Sequence, residues 1–441
     1  MAVLGAYFLG TFGIFLRIVL MKTNFPKWLQ SRNEVVTPVT SWERVEEGFS
    51  LQKQFISPYS GDMFHETPLA LRCLKLAYYF PFDGVKTFFI VIDILTMIFL
   101  YRIASAFGDQ MLKEQAAEKS EYSPKAESLL VTAKQLSMLP STLIAVHVFN
   151  PFSIMTTLAM TTSSVSNLMT LLTFYYLIKG NKLMCTLFLA LSTYQTLYPL
   201  VLIVPVALHF YRNSISSTSA QSFVSGEAVS SYIITSSMFL ILFGFLIGVS
   251  YVLEGSWDFL FSTYGFILTV PDLTPNTGIF WYFFTEMFDH FRTFFVCVFQ
   301  MNAFIYTIPL AVKFTKRPLF LMYVLMFLTS IFKSYPSYGD AALYISLLPL
   351  WKHTFCYLRN TLMIVGMFMC CIVLSPILYH LWIFAGSANA NFYFAITLTY
   401  STAQILLFTD LLFAYIRWEY GLYNGKDIRN PDGSKTLIIL E

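Results

Sequence analysis

The sequence predicts an all-α fold, a polytopic membrane helical bundle of about ten to twelve transmembrane helices, and three observations carry that prediction. Of 441 residues, 56% are hydrophobic, 18% aromatic and only 12% charged. A soluble chain carries about 25% charged residues, so this one lacks the polar cover a soluble fold needs. Apolar runs recur from residue 2 to about residue 417, and a helix crossing hydrocarbon needs about 20 residues. The runs do not alternate in polarity, which removes the β-barrel, the other architecture that satisfies every backbone amide in lipid.

The first run, Ala2 to Met21, has no basic segment before it and no small-residue cleavage site after it, so it reads as an uncleaved first span. A polar segment, 22–67, follows and is expected to be a luminal loop. Within it Glu43, Glu46 and Glu47 fall at helical spacing, consistent with a short helix on the membrane surface. Apolar runs Pro68 to Phe82 and Val85 to Phe107 come next, the second with Asp93 at its middle. Residues 108–139, rich in Lys and Glu, are expected to be a polar cytoplasmic linker.

Further apolar runs are Pro140 to Met160, Ser166 to Ile178 and Leu183 to Phe210, the last two separated by Lys179-Gly180-Asn181-Lys182. A Ser-rich loop, Tyr211 to Ser230, precedes a span at Ser231 to Leu253. Trp257 to Val270 is short enough to be re-entrant. After Asp272-Leu273-Thr274-Pro275-Asn276 come Gly278 to Val312, Leu319 to Phe332, Ala341 to Trp351, Leu362 to Phe384 and Asn391 to Ile416. The chain closes on a polar tail, 418–441, expected to be cytoplasmic, and the whole, 1–441, reads as one transmembrane domain. Lys and Arg in short loops favour the cytoplasm, which places Lys313, Lys316 and Arg317 there.

A net charge of +3, with no block of five or six like charges, argues against nucleic-acid binding. The six cysteines show no C-x-x-C spacing, so neither a disulfide framework nor a zinc site is indicated. Asp93 and Asp410 are polar groups inside apolar runs. They either pair between helices or carry a function. Glu286, Asp289 and His290, at i, i+3 and i+4, are expected to project from one helical face. A metal there would want a second His motif, so no metal site is expected. Cysteine–histidine catalysis finds no support: His290 and Cys297 lie about 10 Å apart along a helix, and His353 with Cys356 lacks an orienting third group. No catalytic residue is expected, and no D-x-D or E-x-D pair exists in the chain. In Ala385-Gly386-Ser387-Ala388-Asn389-Ala390-Asn391, the Asn and Ser side chains suit either a capping turn or a polar headgroup at the membrane boundary.

Longer segments stand out as Ser57-Pro58-Tyr59-Ser60-Gly61 with Phe64-His65-Glu66-Thr67-Pro68-Leu69, then Thr193-Tyr194-Gln195-Thr196-Leu197-Tyr198-Pro199-Leu200, Trp257-Asp258-Phe259 and Tyr264-Gly265-Phe266-Ile267-Leu268. Val270-Pro271-Asp272-Leu273-Thr274-Pro275-Asn276, Phe332-Lys333-Ser334-Tyr335-Pro336 and His380-Leu381-Trp382-Ile383-Phe384-Ala385-Gly386-Ser387-Ala388-Asn389 complete the set. Together these segments resemble the PIG-U family of GPI transamidase subunits. The S-P-Y and T-P-L elements are also similar to the GPI mannosyltransferase PIG-M, which implies a GT-C-like body. Where that enzyme carries its acidic pair, this chain has Ser41-Trp42-Glu43-Arg44.

The resemblance implies a non-catalytic subunit of the endoplasmic reticulum membrane, without cofactor, that binds or presents the GPI lipid. Its implied partners are the other transamidase subunits, including the catalytic cysteine-type subunit, and membrane phospholipids. Asn389, Asn391 and Ser387 are the expected headgroup contacts, with Asp272, Thr274 and Asn276 as a second set. Lys313, Lys316 and Arg317 are the expected contacts for anionic phospholipid. The alternative is an active mannosyltransferase that uses a lipid-linked sugar. A transporter built around Asp93 and Asp410 would need related halves with broken helices, which the sequence does not display.

Overall fold

The computed structural model describes residues 2–214 and 226–425, so most of the Ser-rich loop and of the polar tail lies outside the described residues. Among the described residues the secondary structure is entirely helical. Five helices among the described residues are long and apolar enough to cross a membrane, or six if a pair bent by 69°, ending at Leu139–Phe149, counts as one span. The chain is therefore a multi-pass membrane protein. One of the five, Asp289–Lys313, lies in the expected run Gly278 to Val312, after a short helix, Phe280–Glu286. Other expected spans are built from shorter pieces. Ala341 to Trp351 is the end of Tyr338–Leu347 continued by a 3-10 segment, Leu348–Tyr357.

The break after Glu286 corrects one expectation. Met287 and Phe288 are extended, so Glu286 ends one helix while Asp289 and His290 begin the next, and the three do not share a helical face.

The helix Pro318–Phe332 sits at the centre, buried from Pro318 to Ile331. Its all-round apolar surface suits a helix packed on every side. Pro318 at its first turn is favoured because the missing N–H needs no partner there. Around it pack Ile203–Ser214, Tyr338–Leu347 and Ala390–Asn424. A second layer pairs Gly84–Ala117 with Ser163–Ile178 and Leu139–Phe149, and Ala2–Met21 with Leu139–Phe149. Turns follow local chemistry: Gly180 takes φ +70, and Asn181 then caps Lys182–Thr196 by accepting from the Met184 amide.

The two acids inside apolar runs have structural partners. Asp93 pairs with Arg17 at 2.7 Å and with His147 at 2.9 Å, all three buried. Asp410 accepts the backbone N–H groups of Arg359 and Asn360 at 2.9–3.0 Å, satisfying amides at the start of Thr361–Ile383.

At the end of the bundle bearing Arg317, segment 108–139 is less of a free linker than its charge implies. Gly84–Ala117 runs on through its first residues, and Ser123 N–H and the Leu129 carbonyl bond to the end of Ala390–Asn424 through Leu422 and Trp418. Arg317 is buried there among Glu118 at 2.6 Å, Glu419 at 3.2 Å and Glu114 at 3.5 Å. Arg317→Ala is expected to lower stability by about 2–4 kcal/mol, somewhat less than breaking a fully buried pair because the acids keep some water. Thermal unfolding in detergent checks this.

Candidate functional site

Opposite Arg317, across the central helix and roughly 22 Å away at 1.5 Å per residue, four segments distant in sequence close around a polar cavity of about 80 Å³. Polar side chains in a membrane bundle are costly unless they face one another or water, and here they concentrate on one void.

The first wall is Phe64-His65-Glu66. Ser57 caps a short 3-10 turn by accepting from the Tyr59 amide, and the Tyr59 hydroxyl donates to the Glu66 carbonyl at 2.9 Å. Phe64 seats on Gly48, where an added Cβ would lie 2.8 Å from the ring. The second wall is Gln195 to Tyr198. Helix Lys182–Thr196 ends at Leu197, whose φ of 59 is strained for a residue with a side chain. That turn aims the Tyr198 hydroxyl at Gln300, at 2.9 Å, and lets it accept from the Ser334 amide.

The third wall follows the central helix. Lys333 pairs with Asp340 at 2.5 Å, the Ser334 hydroxyl donates to the Ile267 carbonyl, and the Tyr335 hydroxyl donates to the Asp272 carbonyl. Asp340 also completes a capping box with Ser337. The fourth wall is the start of Ser163–Ile178, with Thr162, Ser166 and Asn167. The Asn167 amide donates to the Gly339 carbonyl at 2.8 Å.

Electrostatically the cavity is short of donors at its first wall. Burial pushes the Glu66 carboxyl up to about 7, although Thr162 and Gln195 hydrogen-bond to it, and no described cation pairs with it. Burial also holds His65 down to about 4, so its ring is neutral near pH 7. His65 Nδ1 lies 2.8 Å from the Ser262 carbonyl. A carbonyl only accepts, so Nδ1 carries the proton and Nε2 is left as an acceptor. That Nε2 is buried and has no hydrogen-bond partner.

The residues expected from sequence as contacts lie outside this cavity. Asn389 caps Ala390–Asn424 by accepting from the Asn391 amide at 3.1 Å, so the turn is a capping turn. Both side chains are nonetheless exposed, and the Asn391 carbonyl oxygen accepts from the Tyr282 hydroxyl. Ser387 is exposed in the same turn. Asp272 pairs with Arg44 at 3.1 Å and accepts from the Thr274 amide and hydroxyl. Those bonds hold its carboxyl below the usual range despite partial burial. Asn276 is buried and caps the Gly278 amide at 2.8 Å. This loop joins the cavity through Tyr335, whereas Asn389 and Asn391 form a separate exposed patch with Tyr282. Lys313 and Lys316 are exposed, but Arg317 is enclosed by its carboxylates, so a phospholipid contact there rests on the two lysines.

Sequence reasoning did not single out His65, Glu66, Gln195, Tyr198 or Lys333 as site residues. The signal was their presence in three of the segments that resemble one family.

The described residues form an all-helical, multi-pass membrane body with a cavity lined by Glu66 and Asp340 at one end of its central helix. A family of GPI transamidase subunits, PIG-U, matches residues 11–400. The chain is 41% identical over 433 residues to the GPI-anchor transamidase component PIGU of Homo sapiens, covering 96% of this chain and 97% of that one. The Cricetulus griseus counterpart gives the same identity and coverage over 433 residues. It is also 31% identical over 423 residues to the GPI transamidase component GAB1 of Saccharomyces cerevisiae, covering 95% and 96%. The chain belongs to the PIG-U family, the components of the GPI transamidase, and takes part in attaching GPI anchors within a complex of other subunits.

Proposed function

We propose that this chain is a non-catalytic subunit of the transamidase that holds the GPI lipid at the luminal side of the endoplasmic reticulum membrane and presents it to a catalytic cysteine-type subunit. The observation that carries the reading is the polar cavity at the end of an apolar helical body, walled by His65-Glu66, Gln195 to Tyr198 and Lys333 to Tyr335. The rival, sugar transfer by a GT-C-like enzyme, wants an acidic pair in the first loop, and the chain contains no D-x-D or E-x-D. Glu46 is engaged by the Trp42 indole at 2.8 Å and the Tyr78 hydroxyl at 3.3 Å, and Glu43 and Glu47 are exposed and do not line the cavity.

Asn389 and Asn391 serve as contacts for the polar headgroup outside the cavity, and Ser387 stands beside them. Asp272, Thr274 and Asn276 position the loop between patch and cavity. Lys313 and Lys316 meet anionic phospholipid on the cytoplasmic face.

Asn389→Ala with Asn391→Ala is expected to reduce anchor attachment severalfold in cells lacking the native chain, while the complex still assembles. Surface display of a GPI-anchored reporter, read beside co-purification of the other subunits, checks both halves. Normal display would remove the patch from the lipid path. Sugar transfer by the purified chain alone would overturn the non-catalytic assignment.

A further inference from the structure

The cavity's first wall has an imbalance that the lipid-holding reading does not explain. A buried carboxylate is stable when a cation or several donors neutralise it. Glu66 is 6% exposed, its hydrogen-bonding neighbours are the uncharged Thr162 and Gln195, and no described cation pairs with it. The one Lys of the cavity, Lys333, is taken by Asp340 at 2.5 Å. Beside Glu66, His65 is 7% exposed and offers Nε2 as an unfilled acceptor, its tautomer fixed by the Ser262 carbonyl. A carboxylate met only by neutral donors and an unpartnered imidazole nitrogen thus sit side by side at this wall, with no protein cation to complete them.

We infer that the cavity binds a primary ammonium group, with Glu66 supplying the counter-charge and His65 Nε2 accepting one of its N–H bonds. An ammonium has three donors and no acceptor, which complements this wall. The inference rests on the lipid-holding reading only for the source of the amine. An amine borne by the anchor lipid and the ethanolamine headgroup of a bulk phospholipid share this chemistry.

The test uses the assembled transamidase in phosphatidylcholine nanodiscs, titrated with ethanolamine, choline and ethylene glycol near pH 7.5. Saturable ethanolamine binding is expected, with choline and ethylene glycol at least about tenfold weaker, because the first has no N–H and the second no charge. Glu66→Gln should weaken ethanolamine by about ten- to hundredfold, the value of a charge-assisted hydrogen bond, and Glu66→Asp should restore part of it. Exchanging phosphatidylcholine for phosphatidylethanolamine distinguishes the sources: competition assigns the site to bulk lipid, and no competition assigns it to the anchor-borne amine. Equal binding of choline, equal binding by the Gln variant, or no saturable ethanolamine binding would overturn the inference. Because no anchoring is read, a failure here is separable from a failure of the lipid-holding reading. Amine binding without any effect of Glu66→Gln on anchoring would sink the latter alone.

Discussion

Asp93→Asn is expected to destabilise the folded chain by about 3–5 kcal/mol, the cost of leaving a buried charge without its partner. Arg17 is fully buried, with its Nε 2.7 Å from Asp93. Its other contacts are neutral: the Ser153 hydroxyl at 3.0 Å and the carbonyls of His147 and Val148 at 3.4–3.5 Å. An amide at position 93 would also lose the carboxylate that accepts from His147 and the Thr157 hydroxyl. The triad ties Ala2–Met21 to Gly84–Ala117 and Leu139–Phe149, three helices that also touch through apolar contacts. The effect is read as loss of monodisperse protein and a lower melting temperature in detergent. Arg17→Met combined with Asp93→Leu should recover most of that loss, because apolar replacement of a whole buried pair is often neutral or better. Recovery would show that the pair serves specificity of packing. Equal damage in single and double variants would assign it another role.

Glu66→Gln is expected to act in opposite directions on stability and function. The unfolded carboxyl titrates near 4.5 and the folded one near 7. A raised carboxyl pKa means the native state binds the proton more tightly, so its contribution is fully present below about pH 4.5 and is lost as pH rises through 7. At pH 8 the cost is about 3 kcal/mol, which for a chain of this length is about 3 °C in melting temperature. The Gln variant escapes it. It should melt higher than the parent at pH 8, and the two should converge toward pH 4.5. Groups facing Glu66 across the cavity, His65, Lys333, Asp340 and the neutral Thr162, Asn167 and Gln195, stay in place in both. Anchor attachment by the same variant should fall at least about tenfold. A residue kept only for packing would not combine a gain in stability with a loss of activity.

How far the sequence foretold these features depends on the range over which each is determined. Span character is local, and the long helices Gly84–Ala117, Thr361–Ile383 and Ala390–Asn424 lie where the apolar runs place them. The caps at Asn181 and Asn389 follow from residue type alone. Asp93 and Asp410 stood out as polar residues in apolar runs. Their partners did not, since Arg17 and the Arg359 amide come from elements far along the chain. The break at Met287 and Phe288 carries no Gly or Pro. It is set by tertiary packing of Phe280, Phe284 and Phe299 against one another, so spacing alone placed Glu286 and His290 on one face where they are not. The cavity is the extreme case. His65, Gln195 and Lys333 meet only because Leu197 turns and the central helix ends beside the first loop, and no pattern within one segment encodes that meeting.

If this chain holds the anchor lipid through its polar cavity while chemistry happens elsewhere, the lipid should stay with the complex and leave when Glu66 is neutralised. Mass spectrometry of GPI lipid retained by the complex purified in mild detergent, with native chain or with Glu66→Gln and normalised to the other subunits, reads this directly. Retained lipid is expected with the native chain, and at least about a tenfold drop with the variant at unchanged subunit stoichiometry. Equal lipid in both preparations would contradict the lipid-holding role.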